Sequence, residues 1–216
     1  VVFGINHTYD ACTTKFSDGR EIIADISQDS LDWIDSELAT RVQDAQFVLD
    51  MLQEFNDPAI GLYNNILDLE HIGIFGHSFG GSAATQLCRI DSRIKACVNL
   101  DGGPFSKNIE QPQAPYMFIT GRAGSMTGAK GWSEEKMPDL LQFFRELKND
   151  GYLVTVQGAS HNSFTDHAIL KDAVLLPRFL ATLCFNKFGV GPINGFRVTE
   201  IVNDYLMNFF DKYLKN

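Results

Sequence analysis

Four short apolar runs are spaced along the chain: H-I-G-I-F-G at His71 to Gly76, A-C-V-N-L at Ala96 to Leu100, P-Y-M-F-I-T at Pro115 to Thr120, and L-V-T-V at Leu153 to Val156. Each is too short for a helix of its own and is bounded by turn residues, so each reads as a strand buried on both faces. Helical patterns lie between them. A strand that runs through a helix before the next strand makes a parallel pair, because the chain must first cross back. Repeating that unit predicts an α/β fold: a mostly parallel sheet with helices on both faces. Val1 to Asn6 reads as one further strand, His7 to Gly19 as a polar loop, and Glu21 to Ile26 as a small extended excursion.

The first helix is expected to start at Ser30 as N-cap. Leu31, Ile34, Leu38, Val42, Ala45, Val48, Leu49 and Leu52 then recur at helical spacing up to Asn56-Asp57-Pro58. Phe79 to Arg89 is a helix rich in small residues, and Glu134 to Lys148 one that stops at Asn149-Asp150-Gly151. Lys171 to Phe185, with Pro177 expected to kink it, and Arg197 to Leu214 are the last two. No repeat and no linker-like stretch interrupts the pattern, so residues 1–216 read as a single domain.

Composition narrows the function. With 44% hydrophobic and 21% charged residues, the chain is ordinary globular sequence, which excludes disorder. The 27 acidic residues against 18 basic ones leave a net charge of −9 and no basic stripe to neutralise phosphates, so nucleic acid is not an expected partner. No apolar run reaches the roughly 18 residues of a membrane span. Cys12, Cys88, Cys97 and Cys184 lack metal-finger spacing and read as scattered buried thiols rather than two disulfides. The chain opens V-V-F-G-I-N-H, as though already inside a strand, and is expected to be N-terminally incomplete. A secreted or periplasmic location is compatible with it, but neither compartment nor oligomeric state is legible.

The sharpest signal is G-H-S-F-G-G at Gly76 to Gly81, which fits G-x-S-x-G, a strand turning abruptly into a helix with its serine exposed. It follows an apolar strand and precedes S-A-A-T-Q-L, the context the motif requires. A serine nucleophile needs a base, and the base needs an orienting carboxylate. His161 closes L-V-T-V-Q-G-A-S-H, just past the last strand, where a loop can bring it to the sheet's carboxyl edge. His7 ends a strand, His71 begins one at the opposite edge, His77 is the motif's variable position, and His167 falls in or near a helix. Asp101 directly follows A-C-V-N-L at the edge where Ser78 emerges. Asp91 sits at the wrong edge, Asp139 on a helix and Asp150 in a turn, and G-R-A-G-S after the next strand offers no carboxylate. The candidate catalytic residues are therefore Ser78, Asp101 and His161, with the backbone N–H of Phe79 as an oxyanion-hole donor.

The segments G-H-S-F-G-G, V-N-L-D-G-G and S-H-N-S-F-T-D together resemble the plasma-type platelet-activating factor acetylhydrolases (isoform II) and their bacterial relatives. The opening G-I-N-H-T-Y-D-A and the closing helix R-V-T-E-I-V-N-D-Y-L-M-N-F-F-D-K-Y-L-K are also similar to that family. The resemblance implies an α/β-hydrolase fold whose first strands, about three of them, are missing before Val1. It implies a triad acid after the strand that follows the nucleophile helix, which is Asp101 here. It also implies a histidine–glycine loop supplying the other oxyanion-hole N–H, a loop not contained in this chain.

The expected function is a serine esterase working through an acyl-enzyme, with no metal or organic cofactor required. The resemblance points to phospholipids with short or oxidised acyl chains, while the residues themselves support only a small-molecule or lipid ester with an apolar part. A general carboxylesterase, lipase or polyester hydrolase is the alternative on the same fold, and a non-catalytic hydrolase-like binding protein a third reading. Pro104 to Pro115 and Met126 to Trp132 are the loops considered for an acyl pocket. The last helix aligns Ile201, Tyr205, Phe209 and Tyr213, a stripe that packs on the core or meets a membrane surface, core packing being the expected use.

Overall fold

The computed structural model describes residues 1–9, 13–23, 31–103, 111–121, 137–173, 184–185 and 188–215. The chain divides into two compact units, Val1–Glu70 and His71–Asn216.

In the first unit, β1 (Thr13–Lys15) pairs antiparallel with β2 (Glu21–Ile23), placing Thr13 opposite Ile23 and Lys15 opposite Glu21. This hairpin corrects the reading of His7 to Gly19 as loop throughout. Its turn is made by Asp18-Gly19: Gly19 sits at φ +88° and its N–H donates to Phe16 O at 3.0 Å. An Asp-Gly pair between T-T-K and E-I-I was the available signal. Val1 to Asn6, read as a strand, has no regular secondary structure and is exposed throughout. A strand persists by exchanging backbone hydrogen bonds with a neighbour, and among the described residues nothing pairs with this one. Helix α1 (Leu31–Asn56) buries Val42, Ala45 and Leu49 on one stripe, and Asn56 ends it. The Asn56 amide accepts from Leu67 N–H and donates to Leu67 O, both at 2.9 Å, tying the following turn back to the helix end. The expected N-cap, Ser30, lies outside the described residues.

The second unit holds a four-stranded, all-parallel sheet in the order β3 (Ile72–His77), β4 (Ile94–Leu100), β5 (Tyr116–Gly121), β6 (Gly151–Val156). The fold is α/β, with helices on both faces of that sheet. Alternation along the central strands decides which helix each face receives. Ala96, Val98 and Leu100 of β4, with Met117 and Ile119 of β5, join one buried cluster with Val198 and Phe209 of α5 (Gly195–Leu214) and Ala168 of α4 (Asp166–Ala173). The opposite side chains, Cys97, Asn99, Tyr116 and Phe118, are also buried. They face α2 (Phe79–Ile90) and α3 (Met137–Glu146): Thr85 of α2 lies 2.9 Å from the Tyr116 hydroxyl, and Phe143 of α3 packs edge-on to the Tyr116 ring at 5.2 Å. Being covered on both faces is why these strands read as unbroken apolar runs.

Two helices begin earlier than their sequence pattern suggested. The expected Lys171 to Phe185 helix is α4, starting at Asp166, and the stretch containing Pro177 lies outside the described residues. α5 starts at Gly195, where the Asn194 side chain caps it by accepting from Arg197 N–H at 3.0 Å. Of the stripe on α5, Ile201, Phe209 and Tyr213 pack on the core, while Tyr205 is exposed. Among the described residues no helix is long and apolar enough to cross a membrane. Cys88 and Cys97 are buried free thiols, whereas Cys184 is free and exposed.

The β3–α2 turn is closely packed. A Cβ at Gly76 would lie against the main-chain carbonyl of Gly80, and one at Gly81 against the Asn99 side chain, so both sites require glycine. Gly80 faces open space. Gly76→Ala is therefore expected to destabilise the fold by about 1–3 kcal/mol or more. Gly80→Ala, inside a helix, is expected to be neutral or stabilising by up to about 1 kcal/mol. Chemical denaturation of the two variants checks this, and equal losses would contradict it.

Candidate active site

Every residue of the site is carried just past the carboxyl end of a parallel strand. Ser78 follows β3 and begins α2 at φ 55°, ψ −122°, a conformation that a non-glycine residue holds only against a cost of about 1–3 kcal/mol. Its N–H donates to Leu100 O at 2.9 Å, and its own carbonyl accepts from Gly81 N–H and Ser82 N–H at 2.9 and 3.1 Å. The backbone is thus held from three directions while the side chain makes no cap within the helix.

Asp101 follows β4, also at positive φ (55°), with its N–H donating to Ile119 O at 2.8 Å. Its side chain is 4% exposed, and both carboxylate oxygens are engaged. Oδ1 accepts from Thr120 Oγ1 at 2.5 Å and Oδ2 lies 2.8 Å from His161 Nδ1. A carboxylate only accepts, so Nδ1 carries the proton. The other ring nitrogen, Nε2, lies 2.8 Å from Ser78 Oγ and is left as the acceptor of the serine hydroxyl. The structure brings Ser78, His161 and Asp101 into one hydrogen-bonded line.

His161 reaches this position on a short 3₁₀ turn, His161–Phe164, that follows β6. Ser160 and Ser163 form a reciprocal capping box around it. The Ser163 hydroxyl accepts from the N–H groups of Ser160 and Gly191 at 3.0 and 2.9 Å, and Ser160 Oγ donates to Gly189 O at 2.5 Å. Asn162 donates its amide to Phe188 O at 2.6 Å. The segment holding the histidine turn is itself fastened by the buried Lys171, whose ammonium donates to Gly191 O at 3.0 Å and Ile193 O at 2.5 Å. Asp172 accepts from Gly195 N–H at 2.5 Å, close to the same point.

Behind Asp101, the wholly buried Asn99 accepts from Gly102 N–H at 2.7 Å and donates to Thr85 Oγ1 at 3.0 Å. Thr85 passes its own proton to Gly81 O at 2.9 Å. One polar cluster thereby supports the turn after Ser78 and the turn after Asp101. None of Asn99, Thr85 or Thr120 was marked by sequence, because each acts through a contact distant in the chain.

The residues passed over in sequence are engaged elsewhere. Asp91 is paired with Arg93 at 2.6 Å, and Asp150 accepts from Tyr213 and Lys212 at 2.5 and 3.1 Å. His7 contacts Asp44 at 2.7 Å, and His167 is exposed beside Thr165. His77 was read only as the motif's variable position, but its ring lies 4.7 Å from that of His161, and its Nε2–H donates to His161 O at 2.9 Å. Burial, then the neighbouring His161, hold its pKa down at about 4 from the usual 6.5. The loops considered for an acyl pocket, Pro104 to Pro115 and Met126 to Trp132, lie mostly outside the described residues. The Phe79 N–H is the first amide of α2.

A parallel sheet turning through a strained serine into a helix, with a histidine and a buried aspartate delivered to that serine from later strand ends, is the architecture of the α/β-hydrolases. Within that class, residues 29–216 match the family platelet-activating factor acetylhydrolase, isoform II, and the chain belongs to this family. A probable 1-alkyl-2-acetylglycerophosphocholine esterase of Arthroderma benhamiae (strain ATCC MYA-4681 / CBS 112371) is 26% identical over 181 residues, covering 79% of this chain and 42% of that protein. This chain thus spans less than half the length of that relative. Among solved structures, a ferulic acid esterase from Streptomyces cinnamoneus superposes with a TM-score of 0.72 at 25% identity, over 97% of this chain and 58% of the other. A dienelactone hydrolase-like promiscuous phosphotriesterase, P91, from metagenomic libraries shares the fold at 18% identity, with a TM-score of 0.50 over 79% of this chain and 70% of its own.

The depressed His77 has a thermodynamic consequence. Between about pH 6.5 and pH 4 the unfolded chain binds a proton at this position and the native fold does not. The free energy of unfolding therefore falls as pH falls through that window, by about 3 kcal/mol in full. Denaturation curves across the window are expected to show this slope, with His77→Gln removing its share. An unchanged slope in the variant would contradict the assignment.

Proposed function

We propose that this chain carries the catalytic machinery of a serine esterase. Ser78 Oγ attacks the acyl carbon of a carboxylic ester as His161 Nε2 takes the hydroxyl proton, and Asp101 holds the Nδ1–H and stabilises the imidazolium. The Phe79 N–H donates to the oxyanion of the tetrahedral intermediate. His161 returns the proton to the departing alcohol, leaving an acyl ester on Ser78. Water, activated by His161 in turn, releases the acid and restores the serine. No step calls on a metal or organic cofactor. The observation that carries this reading is the pair of 2.8 Å hydrogen bonds that run from Ser78 through His161 to Asp101.

For the substrate we propose a phospholipid with a short or oxidised acyl chain. Family membership and the name of the Arthroderma relative, an esterase of 1-alkyl-2-acetylglycerophosphocholine, support it. A broader carboxylesterase is the second reading, favoured by the similarity of nearly the whole chain to a ferulic acid esterase. Sheet and elbow are common to both, because specificity resides in the loops above them.

Ser78→Ala is expected to abolish hydrolysis of a p-nitrophenyl short-chain ester while leaving the unfolding transition in place. Asp101→Asn is expected to cost about 10,000-fold, since an amide favours the wrong histidine tautomer. An organophosphonate is expected to label Ser78 stoichiometrically, and failure to label would favour a binding protein. Comparing a short-acyl phosphatidylcholine with a feruloyl ester separates the two substrate readings.

A further inference from the structure

The base of the proposed mechanism is delivered from the far side of the sheet. Ser78 follows β3, whereas His161 follows β6, with β4 and β5 between them. Adjacent strands are about 4.8 Å apart, so the histidine turn must reach back across three spacings, roughly 14 Å, and then stay in register with the serine. The imidazole is fixed at its Nδ1 by Asp101, and its turn is fastened to backbone groups at 188–191, but none of these bonds ties the main chain of residue 161 to the strand that carries Ser78. A second attachment is present on the nucleophile's own strand. His77, the residue immediately before Ser78, donates its Nε2–H to the main-chain carbonyl of His161 at 2.9 Å. Its ring also lies against the His161 ring at 4.7 Å, with Phe164 of the same turn 6.2 Å away.

We propose that His77 is a positioning residue for the esterase reaction, tying the main chain of the base to the strand end that carries the nucleophile, so that Ser78 and His161 keep their spacing as one unit. This rests on the reading of Ser78 and His161 as nucleophile and base. The bond direction follows from chemistry, since a carbonyl can only accept, which assigns the proton of His77 to Nε2. The ring's low proton affinity complements that role. His161 becomes positively charged during acyl transfer, and a second imidazolium at this distance would oppose it. A ring that stays neutral provides the hydrogen bond without the repulsion.

A bond fixing two reacting groups relative to each other should appear in kcat rather than KM. Displacing a catalytic group by about an ångström costs on the order of 100-fold. The deciding comparison is between two amides at this position in the whole protein, assayed with a p-nitrophenyl short-chain ester. Glutamine sets its amide nitrogen near the place of the histidine Nε2, whereas asparagine sets it near Nδ1, short of the His161 carbonyl. His77→Gln is expected to keep kcat within about threefold of wild type and His77→Asn to lose about 100-fold in kcat, KM changing by less than about twofold in both. His77→Leu, which keeps bulk but no donor, is expected to match asparagine and decides the question should that variant not fold. Equal kcat values for the glutamine and donor-less variants, or losses confined to KM, overturn the proposal. Ser78→Ala run alongside separates the two levels. If it is inactive while position 77 proves indifferent, only the positioning role falls; if it retains wild-type hydrolysis, both fall.

Discussion

Two backbone hydrogen bonds, Ser78 N–H to Leu100 O and Asp101 N–H to Ile119 O, set the frame on which the site stands. Each candidate residue is bonded not to its own strand but to the last residues of the next strand across. Ser78 is thereby registered against β4 and Asp101 against β5. Thr120 on β5 then returns a hydrogen bond to Asp101, closing the ladder with a side chain. Parallel pairing makes this arrangement available, because strands that all run the same way end at one edge, where residues from distant parts of the sequence meet.

Glycine keeps that frame compact. With a side chain at Gly76 or Gly81, α2 would be pushed off β3, and the hydroxyl of Ser78 would swing with the helix away from an imidazole delivered three strands away. The histidine turn has its own reinforcement, a buried ammonium and three serine and asparagine side chains spent on backbone groups between 188 and 193. The strand ends hold the three candidate residues of the proposed mechanism in one hydrogen-bonded line.

What could be read from sequence was what local pattern determines. The four strands of the sheet were each located to within about two residues, because each is a short apolar run between turns. The expected burial on both faces holds for β4 and β5, whereas the edge strands β3 and β6 are respectively half-buried and largely exposed. The elbow was legible because its glycines and serine are adjacent in the chain, and strand-end position, with elimination of the other histidines and aspartates, singled out His161 and Asp101 as candidates for it. The remainder depends on contacts that no window contains. α4 begins at Asp166 because the Ser160–Ser163 turn delivers the chain there, not because its apolar residues begin there. Thr120 and Asn99 look like ordinary strand residues until their partners are placed beside them. His77 was set aside as the motif's free position, and what distinguishes it is a carbonyl 84 residues later. Val1 to Asn6 was misjudged for the converse reason: its composition suits a strand, but among the described residues it has no strand to join.

Ser78 and Asp101 share a property no other pair in the described sheet has in common with the proposed chemistry: both sit at φ 55° without being glycine. In evolutionary terms, this makes the site easy to lose. Glycine at either position relaxes the backbone and removes a reacting group in one step, so relief of strain and loss of chemistry point the same way. A lineage released from selection for hydrolysis would drift toward the quieter backbone and keep the sheet. Under the proposed function, the two strand-end residues held at positive φ are also the two at which glycine would remove the chemistry.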